Sequence, residues 1–358
     1  MSHSYDHGGN IFTVARTLGV SPDQILDFSA SINPLGMSPI VRKALACSVD
    51  SLIHYPDTSH TELKLALAKF HDLPPTNFTI ANGSTELIYN LPVMLPGSKA
   101  LIISPSFSEY VRALRQHGWD TEHFILTPEN GFSIDMDRLE CVLAGGVDLL
   151  FICNPGNPNG TLYPQRIIEE IYSLCLSAGT FMVLDEAFMD FCEEASAKRM
   201  IVKSDNAVIL RSMTKFFGIP GLRLGYAISN ATLAGRLDSM GGPWSVNTLA
   251  LAAGAAALQD IRHNQETLEL ISRERNRLFE YLEQFSQFRV YPSSANYLLV
   301  EIVGSMTSRE LKERLLPYRI LIRDCASFVG LTEQFFRIAV RAGDENKRLL
   351  ECLERILE

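Results

Sequence analysis

The stretch SMTKFFGIPGLRLGY, Ser212–Tyr226, follows directly on the β-branched run Val208–Arg211 and sets one lysine in a loop of small hydroxyl and glycine residues. A lysine that forms a Schiff base must sit where its amine can lose a proton, beside other cations or in an apolar pocket. Arg223 supplies a second cation eight residues after Lys215. Ser212 and Thr214 can donate hydrogen bonds to a phosphate that Arg223 would neutralise. Most loop lysines are ordinary solvated side chains, so the weight of the reading rests on what surrounds this one.

Thirty residues upstream, the apolar run in FMVLDEAF ends in Asp185. An acid closing a buried strand needs a cationic partner, or it costs several kcal/mol to keep ionised. A protonated pyridine nitrogen would be such a partner, and a helix-capping role accounts for an isolated Asp equally well. Further upstream, NPGNPNG (Asn154–Gly160) is a tight Pro/Gly turn presenting Asn157, whose amide can hydrogen-bond a phenolic oxygen. The sequence NGSTE, Asn82–Glu86, opens a predicted helix with glycine and two hydroxyl residues. Its free N–H groups can cradle a phosphate, and a capping box at Ser84 or Thr85 explains the same residues without a ligand.

These motifs sit in an alternation of short β-branched runs and amphipathic stretches, the pattern of a mainly parallel sheet covered by helices. The predicted strands are 100–103, 148–153, 181–184, 208–211 and 224–228, with helices over 84–95, 107–117 and 164–178. Ligands in such sheets bind at the carboxyl ends of strands. A charged helix over 260–285 then leads to a smaller α+β unit with strands at 297–302, 319–322 and 335–340 and helices at 307–316 and 345–357.

The composition narrows the partners. Hydrophobic residues make up 46% and charged residues 20% of the 358, the balance of a folded protein. Acidic residues outnumber basic ones 41 to 32, for a net charge of -9. No large positive field is therefore available for nucleic acid or an anionic membrane surface, although a few local arginines can still bind a small anion. The longest apolar run, Leu249–Leu258, is far short of a membrane span, and the polar N-terminus lacks a secretory signal pattern. Seven cysteines form no close pair and read as reduced thiols. A cytoplasmic protein is expected.

In order and over essentially the whole chain, the four motifs resemble those of the pyridoxal-phosphate enzymes of aminotransferase type, fold type I. The resemblance implies an α/β fold with a large domain, built on a mainly parallel seven-stranded sheet between helices, and a smaller α+β domain. The implied division is an N-terminal arm and part of the small domain over 1–45, a cofactor domain over 46–258 and a C-terminal domain over 259–358. By the same resemblance, Lys215 carries the pyridoxal phosphate as a Schiff base, Asp185 pairs with the pyridinium nitrogen and Asn157 contacts the phenolic oxygen. Phe107, in SPSFSEY, stacks on the ring. Gly83, Ser84, Thr85, Ser212, Thr214 and Arg223 hold the cofactor phosphate. Tyr55, in HYPD, matches a tyrosine extended into the partner subunit's site, which implies a homodimer.

Both ends of the chain narrow the branch. HGGNIFTVARTLGVSPDQILDFSASINPLG (His7–Gly36), PWSVN, SANYLL, RILIRDCASF and FFRIAVR are similar to the phosphothreonine decarboxylases of cobalamin biosynthesis. The implied reaction is decarboxylation of O-phospho-L-threonine to (R)-1-aminopropan-2-yl phosphate. Histidinol-phosphate aminotransferases share the core and are the nearest competitor. The resemblance puts Arg323 and Arg337 on the substrate's anionic groups, together with Asn157, while His7, Gly8, Ser31 and Asn33 close the site from the N-terminal arm. Three positions depart from the pattern. Ser31 stands where the arm usually has asparagine, Asn159 replaces a threonine, and Phe188 replaces the tyrosine that related aminotransferases carry three residues after the ring-pairing aspartate. A decarboxylase for O-phospho-L-serine stays open as an alternative, since one methyl contact is worth only about 1–3 kcal/mol.

Overall fold

A computed structural model of the chain describes residues 8–357. Seven strands form one sheet: β1 (Phe78–Ala81), β2 (Lys99–Ser104), β3 (Asp120–Ile125), β4 (Leu149–Cys153), β5 (Phe181–Asp185), β6 (Ala207–Ser212) and β7 (Gly225–Ile228). Their spatial order is β1-β7-β6-β5-β4-β2-β3. Neighbours from β6 to β3 pair in parallel, and β7 runs antiparallel to both β6 and β1. The sheet is therefore mainly parallel, as expected from the sequence.

The central strands β4, β5 and β6 are buried at every residue, which explains their unbroken apolar runs. Alternation sends Val183, Val208 and Leu210 to one face, against α1 (Ser84–Met94) and α2 (Glu109–Gln116), in a core with Leu87, Ile88 and Tyr110. Met182, Leu184 and Ile209 go to the other face, with Ile168 and Ile171 of α3 (Gln165–Ala178) and Ala250 and Ala253 of α4 (Thr248–Gln259). Burying each such Val, Leu or Ile contributes roughly 1.5–3 kcal/mol.

Two edge strands were not legible in the sequence. In β3, DTEHFI, only Phe124 is fully buried, so its polar residues conceal the strand. β1 has only four residues. The helix expected over 107–117 starts at Glu109, which leaves Phe107 in the loop before it.

After α5 (Ile261–Leu282), capped by the Asp260 side chain, the chain builds a second sheet. Its strands are β8 (Phe288–Tyr291), β9 (Tyr297–Ile302), β10 (Arg323–Asp324) and β11 (Phe335–Ala339), in the antiparallel order β10-β11-β9-β8. The single strand expected over 319–322 is divided. Ile320–Leu321 pairs in parallel with Leu26–Asp27, and Arg323–Asp324 joins β11. One segment thus serves two partners. The closing helix α6 spans Gly343–Leu357. Leu26 and Phe28 pack in one apolar cluster with Leu278, Leu298, Phe336 and Leu353, so the N-terminal segment shares its core with the C-terminal hundred residues.

Candidate active site

A cavity of about 250 Å³ opens at the carboxyl ends of β4 and β5. The last residues of those strands, Cys153 and Asp185, line it, as does Lys215 from the loop after β6. Ser84, Thr85, Phe107 and Tyr110 come from the helical face, and Asn157 from the turn after β4. Gly8, Ser29 and Ser31 enter from the N-terminal segment, and Arg323 and Arg337 from the second sheet.

The lysine amine donates to Ser212 Oγ at 2.9 Å, and Ser212 Oγ lies 2.8 Å from Thr214 Oγ1. Burial, with Arg223 and Arg337 nearby, lowers the Lys215 pKa to about 8, against the opposing pull of Asp185. Asp185 shows the reverse shift. Its carboxyl is pushed up by burial and partly held down by Tyr110, Lys215 and the Ala187 N–H. The Tyr110 hydroxyl donates to Asp185 Oδ2 at 2.5 Å and the Ala187 N–H to Oδ1 at 2.9 Å. The carboxylate is thus oriented by two donors with a cation close by. That suits a group required to stay ionised and to face a protonated ring nitrogen.

At the N-terminus of α1 the capping box that would explain these residues without a ligand does not form. The Glu86 carboxylate accepts from the Asn82 N–H, while no side chain caps the helix, so Ser84 and Thr85 are not used that way. Gly83 has φ 80, and a Cβ there would lie 2.7 Å from Arg223 Nη2. Glycine at this position lets the guanidinium approach the first helical turn. The helix N-terminus, two hydroxyls and an arginine together form a fitting cradle for a phosphate.

At the opposite wall, Arg337 is buried, donates to Asn157 Oδ1 and gives Nη2 to the Ser29 carbonyl at 3.1 Å. Its Nε is buried without a partner, and no carboxylate pairs with it among the described residues. Arg323 is also buried, donates to Ser327 Oγ at 3.1 Å and lies over the Phe328 ring. A surface salt bridge, the ordinary role of an arginine, does not describe Arg337. Ser31 Oγ faces this region buried and unpartnered. An orphaned guanidinium N–H and an orphaned hydroxyl in one cavity are what an anionic ligand would satisfy.

Residues 23–356 match the family model for aminotransferase class I and II. The chain belongs to that family. It is 40% identical to threonine-phosphate decarboxylase of Salmonella typhimurium, over 98% of this chain and 96% of that protein. The structure of L-threonine-O-3-phosphate decarboxylase from Porphyromonas gingivalis superposes with a TM-score of 0.80 at 28% identity, covering 92% of this chain and 98% of that one. The histidinol-phosphate aminotransferase of Clostridium acetobutylicum gives 0.86 at 29% identity, with the same coverage.

Within this class I and II aminotransferase chain, the residues singled out in the sequence fall into three groups. Lys215, Asp185, Asn157, Ser84, Thr85, Phe107, Gly8, Ser31, Arg323 and Arg337 line one cavity. Gly83, Ser212, Thr214 and Arg223 stand directly behind it. Asn33 and Tyr55 lie elsewhere. Asn33 is buried, its amide nitrogen donates to the Phe216 carbonyl and Thr267 Oγ1, both at 2.8 Å, and its oxygen accepts from the Leu35 N–H. Its own N–H binds the Lys215 carbonyl at 3.0 Å. It anchors the lysine loop from behind instead of closing the cavity, because every polar atom of its side chain is already engaged. Tyr55 is 79% exposed and stacks on Trp244 at 4.5 Å, outside the cavity of its own chain. His7 lies outside the described residues.

Sequence reading missed Tyr110, the hydroxyl on Asp185. Its signal was available in SPSFSEY, where Tyr110 follows the proposed stacking residue Phe107 by three positions, close to one helical turn. The departure at Asn159 also has a local account. Its Oδ1 lies against Gly156 and accepts from the Thr161 N–H at 3.2 Å, so it braces the turn that presents Asn157.

Proposed function

We propose that the chain is a pyridoxal-phosphate-dependent carboxy-lyase converting O-phospho-L-threonine to (R)-1-aminopropan-2-yl phosphate and carbon dioxide, as a step of cobalamin biosynthesis. The relationship to the Salmonella decarboxylase, at 40% identity against 29% for the Clostridium aminotransferase, carries this reading. The cavity supports it with two separate anion-binding ends, one at the start of α1 and one at Arg323 and Arg337. These fit a phosphorylated cofactor and a phosphorylated amino acid.

When bound, the cofactor supplies an electron sink for the bond to the departing carboxylate. The chain's residues do the rest. Asp185, held by Tyr110, keeps a ring nitrogen protonated. Asn157 gives its oxygen to Arg337 and so has its amide nitrogen left for the phenolic oxygen. The grip of Arg337 and Arg323 on the substrate's anionic groups orients the bond to be broken. Lys215 Nζ, with a pKa of about 8, can return a proton to Cα near neutral pH. Phe188, against the Lys215 amine at 5.4 Å from its ring centroid, offers no hydroxyl to compete for that proton.

The reading extends to a cytoplasmic homodimer with an arm over 1–45, a cofactor domain over 46–258 and a C-terminal domain over 259–358. The shared core of Leu26 and Phe28 with residues 278–353 supports this division. Exposed Ile53, Tyr55 and Trp244, at 83%, 79% and 46%, support a second copy over that surface. Among the described residues no helix is long and apolar enough to cross a membrane.

The test supplies purified enzyme with O-phospho-L-threonine and no keto acid. Carbon dioxide and the amino phosphate are expected over many turnovers, and more slowly, if at all, from O-phospho-L-serine. A single half-turnover that leaves the cofactor aminated, or turnover only with histidinol phosphate and 2-oxoglutarate, would overturn the reading in favour of an aminotransferase.

A further inference from the structure

The turn that presents Asn157 is joined to the strands bearing Arg337 through one residue that lies behind the cavity. Tyr297, the first residue of β9, is completely buried. Its hydroxyl donates to the Gly156 carbonyl at 2.5 Å, one residue before Asn157. Its ring lies under Arg337, with the guanidinium carbon 4.9 Å from the centroid. The same ring meets Phe188 edge-on, at 4.9 Å and 82°. Its neighbours reinforce the joint. The Ser294 N–H binds the Gly160 carbonyl at 2.9 Å, and the Val340 N–H binds the Asn296 carbonyl at 2.8 Å, tying the segment to the end of β11. Gly160, at φ 73, is pressed so closely on Ser293 that a Cβ would strike its hydroxyl.

We propose that Tyr297 is a positioning residue that fixes how Asn157 and Arg337, which hydrogen-bond each other directly, present themselves to the cavity. Its hydroxyl holds the turn and its ring holds the guanidinium. The turn itself is closed locally, by Gly160 N–H to Gly156 O at 2.7 Å and Gly156 N–H to Thr161 O at 2.8 Å. The Tyr297 hydroxyl is therefore not needed to form the turn. It docks a finished turn onto the second sheet, and the two functions of the side chain can be separated by substitution. The inference rests on the cofactor and substrate roles proposed above for Asn157 and Arg337.

Tyr297→Phe keeps the ring under Arg337 and leaves Gly156 O paired to Gly160, so the variant should fold. Hydrogen exchange of ligand-free protein should then be faster across residues 154–163. In protein loaded with pyridoxal phosphate, the pH midpoint of the visible absorption band should move upward, because Asn157 supports the phenolic oxygen less well. Tyr297→Leu should in addition raise KM for O-phospho-L-threonine about thirtyfold, the size of a desolvated cation–π contact. Unchanged exchange and an unmoved midpoint in Tyr297→Phe would overturn the proposal. Faster exchange with an unmoved midpoint would overturn it too, by reducing Tyr297 to a packing residue. If wild-type protein shows no such band, the functional reading fails and takes this role of Tyr297 with it. A normal wild-type band with a null result in the variant rejects the role of Tyr297 alone.

Discussion

Replacing Tyr110 by phenylalanine removes one oxygen atom from a fully buried site, and the consequence can be worked out for the carboxylate it touches. Asp185 accepts two hydrogen bonds, from Tyr110 at 2.5 Å and from the Ala187 N–H at 2.9 Å. A hydrogen bond to a charged group contributes about 1.5–3 kcal/mol, against roughly 0.5–1.5 for a neutral pair. Because the bond is worth more to the carboxylate than to the neutral acid, losing the tyrosine should raise the Asp185 carboxyl further. Burial already holds that carboxyl above its ordinary value. A carboxyl raised on folding binds more protons in the native than in the unfolded chain, between its two pKa values. Native stability therefore falls as pH rises through that window, and Tyr110→Phe extends the window upward. Urea unfolding of ligand-free protein should show the variant losing roughly 0.5–1.5 kcal/mol where Asp185 is protonated and about 1.5–3 kcal/mol where it is ionised, so the cost grows as pH rises. The acid limb of kcat/KM should move up in parallel. A cost independent of pH, with an unmoved acid limb, would refute the claim that the hydroxyl supports an ionised Asp185.

Other outcomes follow from the same geometry. With a Lys215 pKa of about 8 against an ordinary 10.5, amine-directed labelling of ligand-free protein should reach half its maximal rate at this residue near pH 8. The unfolded chain keeps its lysine proton up to a higher pH, so this group should make stability rise between pH 8 and 10.5, as two-pH unfolding curves would show. Asn33→Ala removes three hydrogen bonds behind the lysine loop. It should cost about 2–4 kcal/mol at roughly 1 kcal/mol each plus stranded partners, and lower kcat while KM for O-phospho-L-threonine changes little. Arg337→Lys keeps the charge but loses the planar fork. It should raise that KM about 100-fold, in line with about 2–3 kcal/mol for a charge-assisted hydrogen bond, and lower stability by about 1–2 kcal/mol as the bonds to Asn157 and Ser29 weaken.

The parts legible in the sequence are those where one local stretch carries its own meaning. Buried parallel strands such as Leu149–Cys153 and Phe181–Asp185 read directly because both faces are apolar. The lysine loop, the strand-end Asp185 and the Asn157 turn read because each has an unusual local chemistry. What did not read depends on partners distant in the chain. Edge strand β3 has exposed residues on both faces and looks like a polar loop. Ile320–Leu321 separates from Arg323–Asp324 only because Leu26–Asp27 arrives to pair with it. Asn33 was misplaced for the same reason, since its partners lie 183 and 234 residues away. Tyr110 and Tyr297 look like core aromatics in sequence, and only the fold shows where each hydroxyl ends.

Strand alternation at the ends of β5 and β6 also explains how this chain keeps two charged systems apart. Asp185 and Ser212 point toward the cavity, while their immediate neighbours Glu186 and Arg211 point to the opposite face of the sheet. There the fully buried Arg211 bonds Glu186, Glu193 and Asp190, with Nη1 to Glu193 at 2.7 Å. Breaking such a pair leaves an uncompensated buried charge and costs about 3–5 kcal/mol. That cluster consumes carboxylates that would otherwise compete for cations near the strand ends. On the cavity side the balance is reversed. Lys215 has a depressed pKa, and among the described residues Arg337 hydrogen-bonds a carbonyl and an amide and lies over the Tyr297 ring, with no carboxylate paired to it. A buried arginine held by neutral acceptors keeps most of its charge unanswered until an anion arrives. An acidic chain can therefore bind small phosphorylated acids because its surplus carboxylates are committed elsewhere, in one case a single residue away. Arg211→Met should test this division: it should destabilise the fold by about 3–5 kcal/mol in denaturant and leave the pH dependence of the cofactor band unchanged, since Glu186 and Asp185 face opposite sides of the sheet. A variant whose cofactor band shifts along with its stability would show that the two charge systems are coupled and would refute the division.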